Sequence, residues 1–266
     1  MKKRILFGFL AAAILLSFSC GSKEAEKHNQ LGQALFDQGK YAEAESEFRE
    51  AIRLKPGLAE AHDNLGGMLG QKGETEEAIK EFREAIRLKP GNAKAHYNLG
   101  LAHSNQGKNA EAEKEFREAI RLKPDYALAH NNLGAVLGKQ EKFAEAEKES
   151  RVAIRLQPND PWAHYYLGQW LWEDRKLAEA EKELEESIRL NPGIAEAHHT
   201  YGIALGEQQK YAEAEKEFRE AIRLRPSYFE ARFNLSIVLD RMGKTEEAEA
   251  EYQEAVRVRD SLAGSH

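Results

Sequence analysis

AEAHDNLGGMLGQKGETEEAIKEFREAIRLKPGN, residues 59–92, decides the fold. Its first half places Leu65, Gly66 and Leu69 on one apolar stripe. Its second half places Ala78, Phe82, Ala85 and Ile86 on another, each at three-and-four spacing. Gly73 stands between them, free to take the positive φ that ends a helix, and Pro90 stops the second run. The stretch reads as two amphipathic helices joined by a tight turn. Six of the seven prolines, Pro56, Pro90, Pro124, Pro158, Pro192 and Pro226, recur every 34 residues, so the same reading extends outward along the chain. Seven units follow, 25–58, 59–92, 93–126, 127–160, 161–194, 195–228 and 229–262, covering 238 residues. Leu31-Gly32-Leu35 and Leu133-Gly134-Leu137 repeat the first stripe, and Tyr41, Ala44, Phe48, Ala51 and Ile52 repeat the second.

This pattern, as in "AEAHDNLG" and "EAEKEFREAIRLKP", resembles the tetratricopeptide repeat. The resemblance implies an all-α fold, a right-handed superhelix (solenoid) of seven tandem 34-residue helix-turn-helix units. Local wording is close to the repeats that precede the catalytic domain of O-linked N-acetylglucosamine transferases. Here only a short tail, 263–266, follows the seventh unit, and no enzyme is expected. Position 3 of units two to seven is Ala, suited to close packing on the preceding unit, whereas the first unit has Lys27, as a solvated cap would. In the last unit Tyr252 replaces Phe and Asp260 replaces Pro. This leaves a partly apolar flank at Val256 through which the chain could self-associate.

The 266 residues are 41% hydrophobic and 32% charged, the balance of thin amphipathic helices with much exposed surface. Lys2, Lys3 and Arg4 precede an apolar run from Ile5 to Leu16, too short for the roughly 20 residues of a membrane span and typical of an export signal. Residues 1–19 are read as that signal. The single cysteine, Cys20, resembles the lipidated cysteine of bacterial lipoproteins, with 20–24 as anchor and short tether. Ser17 and Ser19 would equally serve ordinary signal cleavage, which would leave a soluble exported protein. Without the three signal charges, 36 basic residues face 45 acidic, a balance of −9 that disfavours nucleic acid. The expected location is the bacterial cell envelope, with the outer membrane favoured.

No cofactor or metal is expected, and no catalytic residue. His28, His62, His96, His130, His164 and His198 share position 4 of their units. Stacked units lie on the order of 10 Å apart, and one zinc ion holds its ligands at about 2 Å, so these histidines are read as packing groups. Glu111, Glu113 and Glu115 belong to a solvated face where Glu alternates with Lys and Arg.

In the family, positions 2, 5, 6, 9, 12 and 13 of the first helices line a concave face where partners commonly bind. Asn64, Asn98, Asn132 and Asn234 recur there at position 6, with Asn131 beside one of them. Asn both donates to and accepts from a peptide backbone, so the resemblance implies a sequence-tolerant grip on extended peptide. Trp162, Tyr165, Tyr166, Gln169 and Trp172 fall on the groove side of one helix as candidate binding residues. Trp170, on the same helix, is read as filling the gap that Ser150 leaves where Phe is expected. Nine acidic and three basic residues occupy the groove positions, which favours a basic or neutral segment over an acidic one. The sequence is read as a membrane-tethered scaffold for protein or peptide partners. The alternatives are an assembly lipoprotein resembling the pilotins of type IV pili, or a self-associating structural protein.

Overall fold

The computed structural model describes residues 21–263; the stretch 1–19 read as an export signal, Cys20 and residues 264–266 lie outside the described residues. Fourteen helices and no strand occur among those described. Helix α1 covers 21–37. It is followed by α2 (Tyr41–Leu54), α3 (Ala59–Gln71), α4 (Thr75–Leu88), α5 (Ala93–Asn105) and α6 (Asn109–Leu122). Then come α7 (Ala127–Lys139), α8 (Phe143–Leu156), α9 (Pro161–Glu173), α10 (Leu177–Leu190), α11 (Ala195–Glu207), α12 (Tyr211–Leu224), α13 (Phe229–Arg241) and α14 (Thr245–Ala263). The chain divides into two compact units, 1–124 with α1 to α6 and 125–266 with α7 to α14. In each, helices pair in sequence and each pair packs on the next, the arrangement of an all-α tetratricopeptide solenoid. No described helix is long and apolar enough to cross a membrane.

Four of the pairs close on the same contact. A Cβ added to Gly32, Gly66, Gly100 or Gly202 would lie 2.7 Å from the ring of Phe48, Phe82, Phe116 or Phe218, so only glycine lets the second helix approach this closely. The alanines at position 3 from Ala61 to Ala231 are completely buried. Between helices the chain takes positive φ at Gly39, Gly73, Gly107 and Gly243, and also at Glu141, Arg175 and Gln209.

Two departures from regularity have local causes. Residues 21–24, part of the 20–24 stretch read as anchor and tether, are helical and belong to α1, where Ser22 and Lys27 hydrogen-bond to Glu26 and Glu24. At the other end Asp260 stands where proline would break the helix, and α14 runs on to 19 residues. The face of this last pair carries Phe233, Ile237 and Tyr252, each more than 40% exposed.

Polar ladders run beside the core. His62 Nδ1 meets Glu81 at 2.6 Å while its Nε2 meets the Pro56 carbonyl at 3.1 Å, tying a helix pair to the preceding loop. His96, His164 and His198 repeat the arrangement with Glu115 and Pro90, Glu183 and Pro158, and Glu217 and Pro192. His28 and His130 make the same contact with Glu47 and Glu149, and Arg232 substitutes in the last pair, reaching Glu251. The position-4 histidines are therefore struts to a glutamate of the second helix, and all but the half-buried His28 are also buried packing groups.

Candidate groove and its residues

The groove side of the first compact unit is built from α1, α3 and α5. Asn64 donates to Asn29 Oδ1 at 3.1 Å and Asn98 to Asp63 at 2.9 Å, so the repeating amides first serve to join one helix pair to the one before it. Lys94 sits between them, 3.3 Å from Asp63 and 3.4 Å from Asn64 Oδ1. Asp63 is only 3% exposed and its charge is already compensated. Elsewhere along the groove Glu26 is held by Lys55, Glu196 by Arg225 and Glu207 by Arg175. Four of the nine acidic groove residues counted from the sequence are thus held in internal ion pairs.

A cleft of about 430 Å³ opens here, with Phe36, Met68 and Leu101 as apolar wall and Gln33, Gln71, Asn98 and Asn105 at its polar edge. Its floor is α3 at Gly67 and Gly70. A Cβ at Gly67 would have nothing within 4 Å, and one at Gly70 would only graze Ala78 at 4.0 Å. Neither glycine is required by packing or by backbone angle, unlike Gly66 beside them.

In the second compact unit the groove side comes from α7, α9, α11 and α13. Asn131 is buried and bonds Asp160, while Asn132 returns its amide to the Leu128 carbonyl of its own helix at 2.8 Å. Trp162 is 40% exposed, and its ring meets Tyr165 edge-on with centroids 5.7 Å apart. Tyr165 is buried, and desolvation followed by the neighbouring Tyr166 drives its hydroxyl pKa up. Trp172 is half-buried among the apolar side chains of α9 to α13, and Gln169 is half-buried beside it. Of the aromatics grouped on this face, Trp162 is the one offered to solvent; Tyr165 and Trp172 are turned into the packing because adjacent helix pairs close over them.

Trp170 is buried at 4% exposure, but its seat differs from the one read in the sequence. The indole lies over Gly138, where an added Cβ would be 2.1 Å from the ring, and stacks on Phe143 and Tyr166. Ser150 faces Gly134 one helical turn away. The space that Trp170 fills is the one Gly138 leaves.

Asn234 donates to His199 Nε2 at 3.0 Å, and His199 Nδ1 lies 3.1 Å from the Tyr228 hydroxyl. A neutral ring that accepts at Nε2 carries its proton on Nδ1 and donates it to Tyr228. Burial, followed by Arg225, pushes His199 down to about 4, with Glu196 opposing, while burial raises Tyr228 to about 12. Asn234 stood in the row read from the sequence, but its partners His199 and Tyr228 did not, because position 5 varies too much to form a visible row. Among the described residues no three His, Cys, Asp or Glu side chains group to hold a metal.

Models of the Tetratricopeptide repeat match residues 25–58, 97–161, 132–195 and 201–263, and a TPR repeat model matches 68–107. No curated protein matches the sequence. Among solved structures the chain is similar to YrrB, described as a TPR protein with an unusual peptide-binding site, at 26% identity and TM-score 0.58, covering 69% of this chain and 95% of that one. It is similar in fold to PilF of Pseudomonas aeruginosa, at 22% identity and TM-score 0.71, covering 80% of this chain and 96% of that one. A third is MamA of Desulfovibrio magneticus RS-1, at 24% identity and TM-score 0.57, covering 64% and 96%. With its helix pairs, its glycine-phenylalanine contacts and these matches over most of its length, the chain belongs to the tetratricopeptide repeat family.

Proposed function

We propose that the protein is an envelope scaffold that grips an extended, neutral or basic peptide segment in the groove of its first compact unit. The observation that carries this is the floor at Gly67 and Gly70. Glycine inside a helix costs roughly 0.5–1 kcal/mol relative to alanine, and here two such costs answer no internal need. What they provide is backbone-level access for a ligand between an apolar wall and a rim of amides. Asn98 lines the cleft with one amide N–H given to Asp63 and its amide oxygen open to a peptide N–H, while the Asn64 oxygen is already met by Lys94. The peptide-binding description of YrrB supports the reading by likeness. In the second compact unit Trp162 offers a solvent-facing aromatic surface of its own.

Lipid attachment at Cys20 is part of the proposal and rests on the basic start, the apolar run and the lone cysteine. Holding the chain at the outer membrane through Cys20 would place the groove near the surface, since residue 21 is already helical and part of α1. The likeness to PilF speaks for the fold, and the pilotin-like alternative has no separate support.

The test uses the processed protein, whose N-terminal mass reports lipidation, against a displayed library of random twelve-residue peptides. Wild type should enrich a family of sequences that Gly67→Leu/Gly70→Leu does not bind, while the variant melts at or above the wild-type temperature. Equal enrichment by both proteins would remove the groove from the proposal, and an unmodified N-terminus would remove the anchor.

A further inference from the structure

Away from the groove, a second polar ladder ties the helix pairs together. Glu45 holds Arg49 on its own helix and Lys72 from the next pair, each at 2.8 Å. Glu147 does the same with Arg151 and Lys176, and Glu215 with Arg219 and Lys244. On α4 the equivalent residue is Ile79, only 3% exposed. The two cations that would share its carboxylate, Arg83 and Lys108, are both present, and among the described residues neither is paired. The sequence has removed one anion and kept two cations.

A second departure falls on the neighbouring helix. Every other first helix has leucine at position 11, from Leu35 to Leu239, and α5 has His103. The ring is 4% exposed and its Nδ1 has no hydrogen-bond partner, an arrangement that costs about 1–3 kcal/mol when nothing else satisfies the group. Burial and then Arg83 hold His103 below its ordinary pKa, with Glu111 and Glu115 opposing and Lys108 adding to the depression.

His103 lines a cleft of about 770 Å³ between α4, α5 and α6 together with Arg83, one of the two cations the ladder leaves over; Ile79 and Lys108 lie outside its lining. It shares no lining residue with the peptide groove. Of its other charged groups, Glu115 is taken by His96, Glu118 by Arg121 and Arg117 by Glu113. That leaves Arg83 and Lys114 unpaired against the single carboxylate of Glu111, with Lys108 adding positive potential to His103.

We propose that this cleft is a binding site for an oxyanion, a phosphate or carboxylate group, held by the Arg83 guanidinium with His103 as hydrogen-bond donor and Lys108 and Lys114 as neutralising charges. A planar guanidinium offers an oxyanion two parallel donors. A bound anion supplies the charge that Ile79 withdrew from the ladder. The site would make the protein responsive to a small anionic ligand or to an anionic group on a partner, independently of the peptide groove.

The experiment titrates the full chain with inorganic phosphate and, separately, with acetate, at ionic strength fixed by sodium chloride. The reporter is the His103 imidazole proton signal, assigned through His103→Leu. A saturable shift with a higher His103 titration point is expected, and whichever anion saturates first names the preferred group. Arg83→Gln should weaken binding at least tenfold. Ile79→Glu, which restores the ladder carboxylate, should do the same, with folding of each variant checked by its melting curve. Arg83 is exposed, so its variant decides the matter even if Ile79→Glu fails to fold. A shift that tracks chloride equally, or that persists unchanged in Arg83→Gln, overturns the site.

Discussion

Glycine in these helices has opposite meanings at neighbouring positions. At Gly138 the missing Cβ is the seat of the Trp170 indole, 2.1 Å from where that atom would stand. The ring is wedged by Phe143 and Tyr166, so it cannot retreat as a flexible side chain would. Gly138→Ala should therefore lose about 1–3 kcal/mol through overpacking, even though alanine is the better helix former. At Gly67 and Gly70 nothing stands in the way, and the same substitution should gain roughly 0.5–1 kcal/mol each from helix propensity alone. Urea unfolding of the three single variants checks both signs. If all three shifted the same way, the helix would be responding to propensity and the contrast in packing would be wrong.

At the scale of elements, the turns inside the pairs carry a correctable strain. Glu141, Arg175 and Gln209 take φ of 61° to 62° where Gly39, Gly73, Gly107 and Gly243 do so freely. A side chain in this left-handed region costs about 1–2 kcal/mol. Each change to glycine should raise stability by a net amount of roughly 0.5–1 kcal/mol after the added freedom of the unfolded chain is subtracted. A melting series on the single and triple variants measures it; a triple variant no more stable than wild type would mean that the backbone relaxes without help.

These turns also show what the sequence makes legible. The 34-residue period, the apolar stripes of the paired helices and proline at the end of six of the seven second helices are local signals repeated until chance is excluded, and first-helix starts from α3 onward follow them. The groove was less legible, because a helical wheel places a residue on a face without saying whether the next pair covers it. Tyr165 and Trp172 share a face with Trp162, yet only Trp162 remains open. The His–Glu struts were readable in hindsight, since Glu at position 23 accompanies His at position 4 in six units and Arg232 with Glu251 replaces them in the seventh.

For the molecule as a whole, those struts and the buried imidazoles set opposing responses to pH. Burial lowers the pKa of His62, His164 and His198, but hydrogen bonds to Glu81, Glu183 and Glu217, with the preceding proline carbonyls, outweigh it and raise each above 6.5. Two acceptors facing one ring are both satisfied only when the ring carries two protons. The folded state then binds protons more tightly than the unfolded chain, so this stabilisation is complete below pH 6.5 and is lost as pH rises through the raised values. His199, lowered to about 4, and His103, also lowered, act the other way, present above pH 6.5 and lost as pH falls. Stability should therefore peak near pH 6.5, the ordinary histidine value, and decline on both sides. The acid limb from His199 alone amounts to something on the order of 1–2 kcal/mol at pH 5. Because each unit contacts only its neighbours, removing one group should flatten one limb without abolishing the other. His199→Asn is expected to soften the fall from pH 6.5 to 5, and His198→Gln the fall from pH 6.5 to 8, when melting temperature is followed across the range. A melting temperature that climbs without a break down to pH 5 would mean that the three struts outweigh the buried rings, and that protonation tightens the solenoid throughout.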